Sequence, residues 1–380
     1  MELEKLRKEM DAADDQLLKL FMSRMDISAR MAEYKAGTNK NVTDGRRERE
    51  ILNRVCGASG EELEKYTRIL YSLLFDLSRS YQYRIISHDT DLTKKIRAAV
   101  KETEKLFPSR ATAACQGVEG SYSQQACEKL FPLPEINYCS HFEGVYKAVE
   151  EGKCRYGILP IENSTYGSVN EVYDLMDKYH FYIAKSLRLR IDHHLLAKEG
   201  CGIGDITDIY SHEQALGQCS EFLKDLKDDV RVHVCRNTAL AAKIASGSES
   251  GTAAAISSKA CSQLYGLKVL SDEIQNTSGN YTRFICISKK MEIYPGADKI
   301  SLMFRLPHKP GSLYFMISKC YAMGLNLTKI ESRPIPGKDF EFIFYFDLDA
   351  SIYDEDVFSL IGDMENSAEE FAFLGSYSEA

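Results

Sequence analysis

One run of apolar residues near the N-terminus constrains this chain more than any other stretch. Leu3, Leu6, Met10, Ala13, Leu17, Leu20, Arg24, Ile27, Met31 and Tyr34 recur at alternating steps of three and four, the heptad spacing of a helix–helix seam. The spacing predicts a single helix from Leu3 to Lys35, roughly 45 to 50 Å long. That is more than the two shorter helical stretches downstream cover, so a partner chain is the expected cover and an intertwined helical dimer the expected assembly. One seam position is charged: Arg24 stands where a bundle takes Leu, and a guanidinium there needs an anion or a polar partner inside. Lys35 follows three turns later on the same face, whereas Arg7 points about 100° away, as it would if it served a second cavity or another subunit. The competing reading is a coiled coil with one tolerated Arg.

A length of 380 residues gives room for two or three domains, each with its own core. The net charge of −8 makes nucleic acid an unexpected partner and requires local cations for any anionic substrate. Eleven Cys without a C-x-x-C pair, and no apolar leader, fit a reduced cytoplasmic protein. His193-His194 lacks further ligands at useful spacing, so no metal is expected. No apolar run approaches the length of a membrane span.

After Gly37 the polar run 38–41 reads as a loop. Asp44 is an N-cap for a helix through Arg47, Glu48, Ile51, Leu52 and Val55, closed by Gly57 and Gly60. Ser59 with Glu62 reads as a capping box for a third helix carrying Leu63, Tyr66, Leu70, Leu73 and Leu77, on which Ser78 and Gln82 share a face. The order Arg7, Arg24, Lys35, Asp44-x-x-Arg47-Glu48, Ser78-x-x-x-Gln82 resembles the all-helical AroQ-type chorismate mutases. The resemblance implies a Claisen rearrangement of chorismate to prephenate with no covalent or proton-transfer step. Arg7 from the partner chain, Arg24 and Arg47 would grip the two carboxylates. Lys35 and Gln82 would meet the ether oxygen. Glu48, with Asp44 and Ser78 nearby, would hold the ring hydroxyl or a carboxylate. Arg46 and Arg49 read as solvated. A charged helix from Asp91 to Leu106, stopped by Pro108, is a connector.

From residue 110 short apolar runs alternate with helical segments, the mark of an α/β fold. Gly117 to Ser123 forms a Gly-rich strand-to-helix turn that offers N–H groups to an anion. The strings Pro160-Ile161-Glu162-Asn163-Ser164, Ser211-His212-Glu213-Gln214-Ala215-Leu216-Gly217-Gln218-Cys219 and Asn280-Tyr281-Thr282-Arg283-Phe284 are polar clusters at strand ends, where open α/β sheets keep their ligands. Together they resemble prephenate dehydratase, which implies two α/β lobes, like a periplasmic binding protein, with the site between them. Thr282 would donate to the departing hydroxyl. Asn163, Ser164, Thr165, Ser211, Gln214 and Thr238 would bind carboxylates and keto group, with Arg283 as a countercharge. Glu162 either orients a water or pairs Arg283, and His212 stays secondary. Val118 and Glu213 replace prolines usual in that family.

Residues 298 to 380 read as β-α-β-β-α-β, the ferredoxin-like plan. With Lys309-Pro310-Gly311-Ser312-Leu313 and Glu331-Ser332-Arg333-Pro334 they resemble the ACT domains of prephenate dehydratases. That implies L-phenylalanine as a feedback effector held by Pro310 to Leu313 and by Glu331, Ser332 and Arg333. A plain dimerisation module is the competing reading.

The expected organisation is therefore multidomain: an all-α mutase domain at 1–90, a linker helix at 91–109, a two-lobed α/β dehydratase at 110–290 and an α+β regulatory domain at 298–380. Chorismate and prephenate are the expected substrates, a homodimer or dimer of dimers the expected assembly, and no cofactor is implied. A ligand-sensing regulator with the same modules is the alternative.

Overall fold

The computed structural model describes residues 2–38, 42, 44–86, 90–227, 229–335, 337–338 and 341–380, apart from the side chain of Arg84. Helix α1 runs from Glu2 to Thr38, three residues past Lys35, and the Thr38 hydroxyl donates to the Tyr34 carbonyl at 2.8 Å. Within this chain its seam is open: Leu3, Leu6, Met10, Leu17, Leu20, Ile27, Met31 and Tyr34 are all exposed. Residues 39–41 of the expected loop lie outside the described residues.

Helix α2 (Gly45–Ile86) joins the second and third expected helices across a break at Gly60, whose φ of 76° and ψ of 161° are not helical and suit a residue without Cβ. Asp44 caps it, accepting the Arg47 N–H at 3.0 Å. The expected capping box at Ser59 is corrected: its hydroxyl donates to the Cys56 carbonyl at 2.9 Å, finishing the preceding turn rather than starting the next. Helix α3 (Asp91–Glu102) stops short of the expected Leu106. Thr103 turns its hydroxyl to the Ala99 carbonyl and accepts the Ile293 N–H at 3.0 Å, so the chain leaves the helix there.

Then follow β1 (Arg110–Gln116), α4 (Tyr122–Leu130), β2 (Leu133–Cys139), α5 (Phe142–Glu150), β3 (Tyr156–Asn163), β4 (Gly167–Ser168), α6 (Asn170–Tyr179) and β5 (Tyr182–Arg190). The chain crosses to a second sheet for β6 (His194–Ala197), β7 (Asp208–His212), α7 (Glu213–Gln218), α8 (Ser220–Lys224), β8 (Arg231–Cys235), α9 (Thr238–Gly247), β9 (Ala253–Ser257), α10 (Lys259–Leu264) and β10 (Lys268–Ser271). It returns to the first sheet with β11 (Tyr281–Ser288). The first sheet has the order β2-β1-β3-β11-β5, with β4 beside β3, and the second the order β10-β6-β9-β7-β8. Strands β3 and β9 are apolar and buried along nearly their whole length because helices cover both faces.

The C-terminal part is β12 (Lys299–Arg305), α11 (Ser312–Ala322), β13 (Asn326–Pro334), β14 (Phe342–Asp349), α12 (Glu355–Ser367) and β15 (Glu370–Tyr377), the expected β-α-β-β-α-β order, with strands arranged β13-β14-β12-β15. By packing, the chain divides into two compact units, each drawn from several stretches of sequence. Residues 1–95, 304–326 and 353–371 form one, and residues 96–303, 327–352 and 372–380 the other. In the first, buried Lys319 on α11 pairs with Asp363 on α12 at 2.8 Å, and Asp363 accepts the Ser80 hydroxyl of α2 at 2.6 Å. In the second, Ile343, Tyr345, Leu374 and Tyr377 share a core with Ile161, Ile183, Ile285 and Ile287 of the first lobe.

Candidate active sites

The first unit brings Arg24, Lys35, Ser78, Gln82 and Glu48 into one neighbourhood. Arg24 donates to the Leu74 carbonyl at 2.8 Å and to the Ser78 hydroxyl. Lys35 Nζ donates to Gln82 Oε1 at 3.1 Å and to the Val42 carbonyl at 2.6 Å. Ser78 and Gln82 are buried, and Gln82 Nε2 donates to the Ser78 carbonyl at 3.2 Å. Burial pushes the pKa values of Arg24 and Lys35 down, while Glu48, together with Tyr71 at Arg24 and Asp44 at Lys35, pushes them up. Glu48 acts on both partly buried cations but is also paired with Arg79, so it does not fully neutralise Arg24 and Lys35, and an added anion is favoured beside them. An ammonium has three N–H groups, so among the described residues Lys35 keeps one for a ligand.

Two expected members stand apart. Arg47 pairs with Glu50 at 3.3 Å and is largely exposed, because the first turn of α2 directs it along its own helix. Arg7 is exposed, roughly 25 Å along α1 from Arg24 at 1.5 Å per residue. Arg46 and Arg49 are exposed as expected. Sequence reasoning missed Arg79, which bonds both Glu48 and Asp76; its i,i+3 spacing from Asp76 was the available signal.

In the second unit the strand register sets Thr282 opposite Asn163 and Arg283 opposite Glu162. Asn163 Oδ1 accepts the N–H groups of Thr165 and Tyr166 at 2.9 and 3.0 Å. Its Nδ2 donates to Thr282 Oγ1 at 2.9 Å and to Asn280 Oδ1 at 2.8 Å. The Thr282 hydroxyl thus accepts from Asn163 and retains its own proton to donate. Ser164 accepts the Tyr281 N–H at 2.9 Å. Tyr166 reaches the second lobe, donating to the Gln214 carbonyl at 3.3 Å, and Asn280 donates to Gln218 at 3.1 Å. Thr238 opens α9, which Asn237 caps.

Three expectations are corrected. Arg283 does not join Thr282, because successive strand residues face opposite ways; it is buried against Asp347 and lies 3.8 Å from Glu162. Glu162 therefore pairs Arg283, and Lys329 at 2.8 Å as well. Ser211 is fully buried, with its hydroxyl donating to the Ile256 carbonyl at 2.7 Å, so it holds β7 to β9. The Gly-rich turn is partly closed as an anion cradle: the N–H groups of Gly117, Gly120 and Ser121 donate to Cys139, Gln124 and Val118. Gly120 instead lets the second lobe approach, since a Cβ there would lie 2.8 Å from Cys261 Sγ. His212 caps α7, accepting the Gln214 N–H at 3.3 Å. Removing one partner of a buried ion pair costs about 3–5 kcal/mol. Asp347→Ala is expected to lower the stability of this unit by that amount, read as an earlier denaturant midpoint; an unchanged midpoint would leave the Arg283 pair without structural weight.

The effector candidates fall in different units. In the first, Gly311 takes a left-handed φ of 88° as the N-cap of α11, next to Pro310, Ser312 and Leu313. In the second, Glu331 accepts the Ser168 hydroxyl and Arg333 pairs with both oxygens of Asp174 at 3.0 Å, while Ser332 is exposed.

A family model for chorismate mutase type II matches residues 6–83, and one for prephenate dehydratase matches residues 113–292. The bifunctional chorismate mutase/prephenate dehydratase of Aquifex aeolicus (strain VF5) is 31% identical over 381 residues, covering 100% of this chain and 98% of that one. The chain belongs to the bifunctional chorismate mutase/prephenate dehydratase family. It carries the isomerase and the lyase on one polypeptide. Arogenate dehydratase 2 of Petunia hybrida is 34% identical over 335 residues, covering 84% of each chain. A prephenate dehydratase from Arthrobacter aurescens, solved in complex with L-Phe, superposes with a TM-score of 0.64 at 25% identity, covering 70% of this chain and 90% of that one.

Beside the residues that family motifs flag, sequence reasoning passed over Asn280 and Gln218, which lie inside the quoted strings and join the Thr282 hydrogen-bond chain only in three dimensions. Among the described residues no cluster of three or more His, Cys, Asp or Glu is arranged to hold a metal, and no helix is long and apolar enough to cross a membrane. All eleven Cys are free.

Proposed function

We propose that residues 1–90 rearrange chorismate by binding alone and that residues 110–290 complete the conversion of prephenate to phenylpyruvate. The observation that carries the reading is the joint placement of Arg24 and Lys35 with Ser78 and Gln82. A dianionic ring compound neutralises that pair of cations, with Arg24 at a carboxylate and the free Lys35 N–H at the ether oxygen, where negative charge develops as the C–O bond breaks. Glu48 and Asp44 take the ring hydroxyl, and Arg47 swings from Glu50 to the second carboxylate. Arg7 enters from a partner chain laid along the exposed seam of α1, in a homodimer or a dimer of dimers.

In the dehydratase, Thr282 donates its proton to the leaving hydroxyl as CO2 departs and the ring becomes aromatic. Asn163 orients that hydroxyl, and Ser164, Thr165, Gln214 and Thr238 line the remainder of the substrate. Residues 298–380 act as an ACT module for L-phenylalanine, with Pro310 to Leu313 and Glu331 to Arg333 as its candidate effector-binding residues. Drawing Glu331 onto the amino acid's ammonium detaches it from Ser168 on β4, beside Asn163, so the effector reaches the dehydratase through that strand pair. A reducing cytoplasm keeps the free thiols unpaired.

A second reading, arogenate as the dehydrated substrate, draws on the likeness to the Petunia enzyme. The test supplies chorismate, prephenate and arogenate separately to pure protein. Loss of chorismate absorbance followed by phenylpyruvate is expected; formation of phenylalanine from arogenate at a higher kcat/KM than phenylpyruvate from prephenate would select the second reading, and silence with all three would sink both.

A further inference from the structure

The pair His193-His194 has no part in either proposed reaction. His193, 2% exposed, immediately precedes β6, and its Nε2 lies 2.6 Å from Gln218 Oε1. The same oxygen accepts from Asn280 Nδ2. His193 Nδ1 is buried without a hydrogen-bond partner among the described residues. Asp192, His194 and His212 are the titratable groups acting on the ring, and Tyr122 packs edge-on against it with centroids 6.5 Å apart. Burial pushes the imidazole pKa down, opposed by the Gln218 bond, so the ring is neutral near pH 7 and carries one N–H.

Which nitrogen carries that proton is settled from the far end of the hydrogen-bond chain. The backbone N–H groups of Thr165 and Tyr166 can only donate, so the Asn163 atom they meet is Oδ1. Its Nδ2 then faces Asn280, which must answer with Oδ1 and turn Nδ2 toward Gln218. Gln218 must answer in turn with Oε1. An amide oxygen has no proton to give, so the imidazole donates through Nε2–H and Nδ1 is the bare nitrogen. The Gln218 Nε2 group makes no hydrogen bond among the described residues, and both of its N–H groups remain available.

We propose that His193 is a positioning residue of the dehydratase: its Nε2–H holds the Gln218 carboxamide oxygen inward, so that the amide N–H groups are presented to a carboxylate of the bound ring acid. Without that donor the Gln218 amide loses one of two constraints on its orientation, and turned over it would set an oxygen against the substrate's anion. The inference rests on the dehydratase reading at Thr282.

The test uses the full chain supplied with prephenate. His193→Met removes the donor at similar length and is expected to lower dehydratase kcat/KM roughly tenfold, mainly through KM, the size of one lost hydrogen bond. Mutase activity should not move. His193→Gln places an amide N–H at the same reach and should restore the value to within about threefold of the parent. A folded Met variant with parental kcat/KM, or a loss that Gln does not repair, overturns the proposal in favour of simple packing. Nitrogen-15 spectra of histidine-labelled parent protein read the tautomer without any substitution: Nε2–H is expected, and Nδ1–H overturns the inference even if both variants misfold. Thr282→Ala, assayed alongside, separates the two levels, since retained dehydration there would fault the site reading rather than His193.

Discussion

Thr282→Ala protein should convert chorismate to prephenate at the parental rate and stop there. The hydroxyl of Thr282 is buried at the register position opposite Asn163, and it accepts the Asn163 amide proton at 2.9 Å. That bond occupies a lone pair and leaves the O–H hydrogen as the donor. Hydroxide is a poor leaving group, so a donor that follows it through the transition state is worth roughly 10²- to 10⁴-fold. Prephenate should therefore accumulate, with phenylpyruvate formation reduced by about that factor. Thr282→Ser, which keeps the hydroxyl and loses only a methyl, should recover most of the rate. If the Ala variant dehydrates prephenate within tenfold of the parent, the proton comes from another group. The mutase rate in the same sample guards against a trivial folding defect.

Lys35→Ala is expected to produce the opposite split. Its ammonium donates to Gln82 Oε1 at 3.1 Å, and removal of one preorganised electrostatic donor typically costs 10²- to 10³-fold in kcat. Chorismate conversion should fall by at least that much, while supplied prephenate is dehydrated as before. The parent carries a second signature of the same group. Burial lowers the Lys35 pKa from its usual 10.5, with Asp44 and Glu48 opposing the shift. A lysine whose folded pKa is depressed loses its charge at lower pH than a free one. Mutase kcat/KM should accordingly decline on the alkaline side before pH 10.5, and dehydratase kcat/KM should not follow it. A flat mutase profile up to that pH would remove Lys35 from the reaction. Loss of both activities in the Ala variant would mark a folding defect instead.

Legibility varied with how local each determinant is. The seam of α1, the Asp44 cap and the β-α-β-β-α-β order follow from periodicity and turn residues, which act within a few positions. The polar strings around Asn163, Gln214 and Thr282 stood out for the same reason. Arg283 and Ser211 were misplaced because a string of residues does not reveal which way each side chain faces. Strand alternation sends Arg283 to Asp347, 64 residues away, and the second sheet's pairing gives the Ser211 hydroxyl to Ile256. The Gly117 to Ser123 turn reads as open to an anion, yet the N–H groups of Gly117, Gly120 and Ser121 find acceptors within the fold.

From residue order alone came the succession of a helical segment, an α/β segment and a ferredoxin-like segment, together with most of the polar groups on which the proposed chemistry rests, because spacing and residue type are properties of neighbours along the chain. Tertiary structure alone decided the direction of each hydrogen bond among them. Asn163 meets Asn280 across 117 intervening steps of sequence, and Gln218 meets His193 across 25. Donor and acceptor roles in such a set are fixed only when every member has its partner, so the proton left over on Thr282 is a property of the folded lobes and of no single segment.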